Sequence, residues 1–412
     1  MINDNQTEQN NLKAQPQTVS EQTASNSQGK ISLPSLSDKL SKDAYFALSS
    51  TQFEKLKSIS ETIFKLTNEV LLDIVKQKTF TETWIEARYG VVKSLWSNGK
   101  IGVNLMRIDF AWDIEGNWKI LELNAASHSG WINSGLTVQA MSVKEIGLPL
   151  APELTFYAKY LLKKLGSRIA IMVIRADYKE WYKELNSLLV QIKDLGGECQ
   201  VICLSETSRQ DIINFNPSGI FWKSNSRLVE QAELVLKVAE LGLPQIPSFE
   251  ALFIAGDKAF LATLRDWDIS GVIPLTYVLS KSNLTKNFDL LAKDKAVLKP
   301  GDLSRGEGIK FGKYFDEKAW QTEIKTATSS SEEWVMQELC YLSQTKDGQY
   351  EDITVFLADG LVQGVASRIS ASEVINVAQG GLSQAVILAE EKTEKASQTE
   401  WQSGIEIPPK KL

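Results

Sequence analysis

The run MRIDFAWDIEGNWKILELN, residues 106–124, concentrates groups that could do chemistry. Side chains alternate along an extended chain, so residues two apart share a face. Arg107 and Asp109 therefore share one face of a first strand, and Met106, Ile108 and Phe110 share the other. Glu122 and Asn124 share a face of a second strand, with Leu121 and Leu123 opposite. Glu115-Gly116 suits a tight turn between them. With the turn centred there, Asp109 lies opposite Glu122 and Arg107 opposite Asn124. Two opposed carboxylates repel unless a cation lies between them. Asp109, Glu122 and the carbonyl of Asn124 are hard oxygen ligands of the kind magnesium takes, with its other positions left to water and phosphate. A solvated polar face on an ordinary hairpin is the alternative. Asp113 and Glu115 sit at the turn and are expected to be exposed.

A second constellation is VLKPGDLSRGEGIKFG, residues 297–312. A short apolar strand ends in Lys299, and Gly301, Gly306 and Gly308 then flank Ser304, Arg305 and Glu307. Glycines let backbone N–H groups approach phosphate oxygens unobstructed, and Lys299 adds a positive charge beside them. A surface loop between two strands is the bland alternative. Lys258, with Asp257, opens an expected helix in AGDKAFLATL. WVMQEL (334–339) reads as a strand in which Gln337 and Glu338 could meet an adenine edge. DITVFLADGLVQGVASRIS (352–370) reads as a hairpin turning at Asp359-Gly360 and carrying Arg368.

Composition narrows the chemistry. The 412 residues are 43% hydrophobic and 23% charged, with a net charge of −6, so a general nucleic-acid binder with a basic face is not expected. No apolar run reaches the length of a membrane span. With no signal-peptide core, a cytoplasmic protein is expected. Three cysteines make no disulfide framework, and Cys199 and Cys203 are expected to pack in a core. With a single histidine, His128, neither a multi-histidine metal site nor a Ser–His–Asp triad is expected. Carboxylates, amides, lysines and arginines must do any catalytic work.

These residues need a frame. Residues 1–35 are rich in Gln, Asn, Ser and Thr and read as a disordered tail. Helical spacing such as Phe53, Leu56, Ile59, Ile63 and Leu66 predicts a helical layer from Leu36 to Trp96. Strands are expected near 103–112 and 118–124. The apolar run IAIMVI, a helix over 180–195 ended by Gly196-Gly197, strands CQVICL (199–204) and GIFWK (219–223), and a helix over 227–241 make a βαβ pattern. That predicts a Rossmann-like parallel sheet. Its first turn, Arg175-Ala176-Asp177, lacks the G-x-G-x-x-G of dinucleotide binding. The expected domains are 36–165, 166–248 and 249–412, in a mixed α/β fold.

Taken in order, these segments resemble the circularly permuted ATP-grasp family, which includes the synthetase domain of glutathionylspermidine synthase. The resemblance rests on Arg107-Ile108-Asp109, Glu122-Leu123-Asn124, Lys258, Lys299-Pro300 with Ser304-Arg305-Gly306-Glu307-Gly308, Gln337-Glu338 and Arg368. The carboxylates precede the lysines, which is the permuted order. The resemblance implies an ATP-grasp fold with a Rossmann-like pre-ATP-grasp domain and a helical N-terminal layer. It implies a ligase that uses ATP and Mg to activate a small-molecule carboxylate as an acyl phosphate and couple it to an amine. Asp109, Glu122 and Asn124 would hold magnesium. Lys258 and Lys299 would bind phosphates under the loop 304–308, and Arg107 and Arg368 would stabilise the transferring phosphoryl group. A phosphotransferase on the same fold and a non-catalytic ATP-binding protein are the alternatives. After Asn124 the chain reads Ala125-Ala126-Ser127-His128-Ser129-Gly130-Trp131, unlike the family's acidic or threonine residue followed by proline. That stretch is expected to face the acceptor, with Trp131 the tryptophan best placed to meet it. Glutathione and spermidine are therefore not carried over.

Overall fold

In the computed structural model the first described element is a strand, β1 (Leu40–Leu48), where helical spacing predicted a helix from Leu36. It pairs in parallel with a strand more than three hundred residues later, so tertiary pairing overrides local pattern here. The helix, α1 (Ser50–Gln77), starts at a capping box. The Ser49 N–H donates to Gln52 Oε1 (2.9 Å), and the Gln52 N–H donates to Ser49 Oγ (3.2 Å). The described residues are 40–77, 84–86, 90, 102–112, 116–125, 129–141, 147–224, 226–268, 270–281, 290–301 and 306–389. The expected tail 1–35, Asp113, Glu115, His128, Ser304 and Arg305 lie outside them. Ser35–Leu412 forms one structural unit.

Along the chain follow β2 (Leu105–Trp112), β3 (Trp118–Asn124), α2 (Trp131–Met141), β4 (Leu148–Pro149), α3 (Phe156–Leu165), β5 (Arg168–Val173), α4 (Arg175–Asp194), β6 (Glu198–Cys203), α5 (Ser208–Phe215), β7 (Gly219–Trp222), α6 (Ala232–Ala239) and β8 (Gln245–Ile246). The C-terminal half supplies α7 (Phe260–Arg265), β9 (Thr276–Val278), β10 (Ala296–Pro300), β11 (Lys310–Phe311), α8 (Glu317–Ser329), β12 (Trp334–Glu338), β13 (Tyr350–Ala358), β14 (Leu361–Ser370) and β15 (Leu382–Leu388).

Among the described residues the mixed α/β fold carries three sheets. The large one runs β1-β15-β14-β13-β2-β3, with β4 beside β15. A parallel sheet runs β6-β5-β7-β8, where the apolar runs and βαβ rhythm of the sequence put parallel strands. A small antiparallel sheet runs β11-β10-β12-β9. The large sheet has two unlike faces. Met106, Ile108 and Phe110 of β2, with Ile353, Val355 and Leu357 of β13, are buried in one core with Leu56, Ile63 and Val70 of α1. The alternate residues of the same strands face the other way and line a cleft. Period-two alternation thus separates core from chemistry.

The small sheet has its own core, in which Trp320 and Ile324 of α8 pack on Ala296, Leu298 and Met336. Trp320 is 2% exposed. Trp320→Ala is expected to cost about 3–5 kcal/mol, the usual range for truncating a buried aromatic. A urea titration followed by far-UV circular dichroism checks this; a midpoint equal to wild type would show that the helix is not held through this ring.

Candidate active site

The site is built on the register of two hairpins. In the first, Asp109 lies opposite Glu122 and Arg107 opposite Asn124, the pairing expected from the sequence. Nearer the turn Phe110 pairs with Ile120, so Leu121 is an extra residue, a β-bulge. In the second hairpin Asp359 and Gly360 both take positive φ at the turn, and Asp352 lies opposite Arg368. Between the hairpins Thr354 of β13 lies opposite Asp109 of β2. One face of four adjacent strands thus presents Glu122, Asp109, Thr354, Asp352 and Arg368 to the same cleft of about 670 Å³.

Asp109 is the centre of this face and is 1% exposed. Arg107 Nε donates to its Oδ1 (3.0 Å) and Arg107 Nη2 to its Oδ2 (2.9 Å). Arg368 Nη2 donates to Oδ2 (3.0 Å) and Thr354 Oγ1 to Oδ1 (3.1 Å). Burial alone would raise the Asp109 pKa, but the two guanidiniums outweigh it and hold the carboxyl below its ordinary range. Arg368 also grips Asp352, with Nε 3.1 Å from Oδ1 and Nη2 on Oδ2. Burial pushes Asp352 up to about 6, Arg368 opposes that shift, and Asp109 adds to it.

The lysines arrive from the other side. Lys258 lies in the turn before α7 rather than inside a helix, and its backbone N–H donates to Gly301 O (3.0 Å). A Cβ on Gly301 would stand 2.6 Å from Asp257 Oδ1, so this junction needs glycine. Lys258 Nζ reaches Glu122 Oε1 at 3.1 Å. Burial raises Glu122 less than Lys258 lowers it together with its other cationic neighbours, and the net shift is downward. Lys299 Nζ, on β10, donates to Gln337 Oε1 (2.5 Å) and to the carbonyl of the bulged Leu121 (3.0 Å). Burial draws the Lys299 pKa down. The Gln337 carboxamide is committed on both atoms, since its Nε2 donates to Thr276 Oγ1 (3.1 Å). It holds Lys299 in place and lines the cleft. Glu338 lines the cleft, as do Gly306 and Glu307 of the glycine loop.

Trp131 is also corrected. It is 2% exposed and stacks on Phe156 (5.4 Å) and Tyr157 (5.5 Å), so it packs the core instead of facing a ligand. Sequence reading missed Asp352 and Thr354, although D-x-T on an alternating strand places both on Arg368's side once the hairpin register is known. Glu184, which also lines the cleft, gave no signal at all.

The donor set suits a hard divalent ion in kind. Glu122 and Asn124 share a face, and Glu122 Oε1 is bonded to Lys258 alone among the described pairs. The Asn124 Nδ2 is buried without a hydrogen-bond partner among the described residues, and turning the carboxamide over puts an oxygen in that place. Asp109 fits on one condition: both its oxygens are taken, so it must release a guanidinium contact to ligate. No cluster of three or more His, Cys, Asp or Glu forms a metal site among the described residues, which leaves the remaining positions to phosphate and water. Among the described residues no helix is long and apolar enough to cross a membrane.

No family model matches the chain, and no curated protein matches it. Solved structures with some likeness include a candidate gamma-glutamylcysteine synthetase from Methylobacillus flagellatus KT, at 12% identity and TM-score 0.45, covering 80% of this chain and 85% of that one. D-cycloserine synthetase DcsG follows at 15% identity and TM-score 0.40, covering 54% and 76%. D-alanine–D-alanine ligase from Bacillus anthracis, complexed with ATP, stands at 16% identity and TM-score 0.35, covering 53% and 70%. TM-scores this low establish no relationship, and the functional reading rests on the site.

The raised Asp352 pKa has a stability consequence in the nucleotide-free, metal-free protein. An unfolded aspartate ionises near 3.9, and the native one near 6. Between those values the native state keeps a proton that the unfolded chain has released, so this group's contribution to stability falls as pH rises through the window. Asp352→Asn is expected to remove that fall. Melting temperatures of both proteins from about pH 4 to 6 check it; parallel curves would place the titration elsewhere.

Proposed function

We propose that this cleft binds ATP with magnesium, phosphorylates a substrate carboxylate and lets an amine capture the acyl phosphate, forming an amide. The single observation that carries this is the convergence of Lys258, from the turn before α7, and Lys299, from the small sheet, on Asp109, Glu122, Arg107 and Arg368 of the large sheet. A phosphate chain needs the lysines, a divalent ion needs the carboxylates, and a transferring phosphoryl group needs the arginines. Phosphoryl transfer is driven by positioning and charge rather than by a protein nucleophile, which suits a site with no cysteine–histidine or serine–histidine pair among its described residues.

Each residue then has a part. Asp109, Glu122 and Asn124 hold magnesium, which when bound neutralises phosphate oxygens. Lys258 and Lys299 bind phosphates, and Gln337 with the Leu121 carbonyl fixes where Lys299 points. Arg107 and Arg368 orient the acceptor carboxylate and stabilise charge as phosphate transfers; Asp352 holds Arg368, and Asp109 gives up one of its guanidinium contacts when it ligates magnesium. The loop bearing Ser304, Arg305, Gly306, Glu307 and Gly308 covers the phosphates, and the chain around Glu338 borders the adenine. Covering matters because water hydrolyses an acyl phosphate. The order of carboxylates before lysines supports a circularly permuted ATP-grasp core with a Rossmann-like domain inserted between its parts, and use of ATP supports a cytoplasmic location.

Pooled carboxylic acids and amines incubated with Mg-ATP and the full chain provide the test, with ADP release as readout. Release is expected to need both an acid and an amine; a stable phosphorylated product formed without amine would indicate a phosphotransferase instead. Lys299→Ala and Arg368→Ala are each expected to slow ADP release by about 10²–10³-fold, as loss of one transition-state charge contact does. Rates unchanged in folded variants would remove the cleft from the reaction.

A further inference from the structure

One wall of the same cleft has no part in the chemistry assigned so far. Glu184 of α4 lines it and is 6% exposed. Its Oε1 accepts from the Gly130 N–H (3.1 Å), and its Oε2 has no hydrogen-bond partner among the described residues. Lys223 Nζ, fully buried, lies 3.4 Å from that oxygen without hydrogen-bond geometry and sits 5.0 Å from the Trp181 ring centroid. Asn133 of α2 lines the cleft too, and its Oδ1 is likewise buried and unpartnered among the described residues. Glu184 Oε2 thus has only an ion pair with Lys223 and no hydrogen bond among the described residues, and Asn133 Oδ1 has no hydrogen bond among them either; a ligand's N–H groups would supply the missing donors.

The place of this wall is set by one peptide. The Ser129 carbonyl accepts from Arg107 Nη1 (3.0 Å), and the Gly130 N–H of that same peptide donates to Glu184. Glu184 is therefore one peptide plane away from the guanidinium that faces Asp109. Gly130 has φ +104, and a Cβ there would meet the Phe356 ring at 3.4 Å, so the plane is held by a residue that tolerates the conformation.

We infer that Glu184 and Trp181 of α4, with Asn133 of α2, which packs against α4, form the subsite for the acceptor amine. This rests on the ligase reading. The two atoms left without a hydrogen bond are oxygens, which accept from an amine's N–H groups and offer no donor to a carboxylate, so the wall selects the amine over the acid, whose carboxylate belongs at Arg107 and Arg368. Glu184 is a positioning residue for the amine's N–H groups.

The test compares two nucleophiles on the full chain with Mg-ATP and the pooled acids. Hydroxylamine is small, reacts with acyl phosphates unaided and reports their formation as hydroxamate; the pooled primary amines need the subsite. Glu184→Gln and Asn133→Ala are expected to leave hydroxamate formation within about twofold of wild type while raising the amine KM at least about tenfold, a split that a general structural defect cannot produce. Equal losses with both nucleophiles, or none with either, would overturn the subsite alone. Wild type that yields neither ADP nor hydroxamate with any acid would overturn the ligase reading and the subsite with it.

Discussion

A carboxylate with almost no access to water, shared between two arginines, organises this molecule. Burying Asp109 by itself would be costly, and the site is tenable because Arg107, Arg368 and Thr354 occupy both its oxygens. Those partners come from three strands, so the ion cluster also fixes how β2, β13 and β14 align. The requirement runs both ways. A one-residue slip in either hairpin would send a charge into the core formed with α1 and a hydrophobic side chain into the cleft.

Much of that register was legible in the sequence, and the illegible part has a physical cause. The alternation of Arg107, Asp109, Glu122 and Asn124 announced which residues share a face, and the expected pairing of Asp109 with Glu122 is present. The bulge at Leu121 was invisible, since an extra residue leaves no mark on composition or period. Its effect is specific: the carbonyl set free from the ladder is the one that Lys299 takes. The second hairpin behaves alike. Its turn was evident from Asp359-Gly360, yet a shift of register between Phe356 and Leu357 brings Arg368 opposite Asp352 rather than Glu351. Asp352 therefore went unread. Segment Leu40–Leu48 misled for another reason, because its partner strand lies far along the chain, while the S-x-x-Q capping box at Ser49 marked the true helix start.

The parallel sheet was the easiest element to read and the hardest to interpret. Its strands follow from continuous apolar runs such as IAIMVI, as buried parallel strands do. Its contribution to the cleft comes instead from α4, where Trp181 and Glu184 reach inward from a helix whose sequence looks like ordinary amphipathic surface. Propensity cannot reveal a helix face turned toward a neighbouring sheet.

The two sheets flanking the cleft differ in the charge they bring. The large sheet supplies Arg107 and Arg368 against Asp109, Asp352 and Glu122, while the chain joined to the small sheet brings Lys258 and Lys299. Lys258 and Glu122 therefore attract each other across the cleft. The Glu122 side chain is 30% exposed in this pair against 2% for that of Asp109 in the guanidinium cluster, so dissolved salt weakens the lysine side of the cleft before it reaches the arginine side.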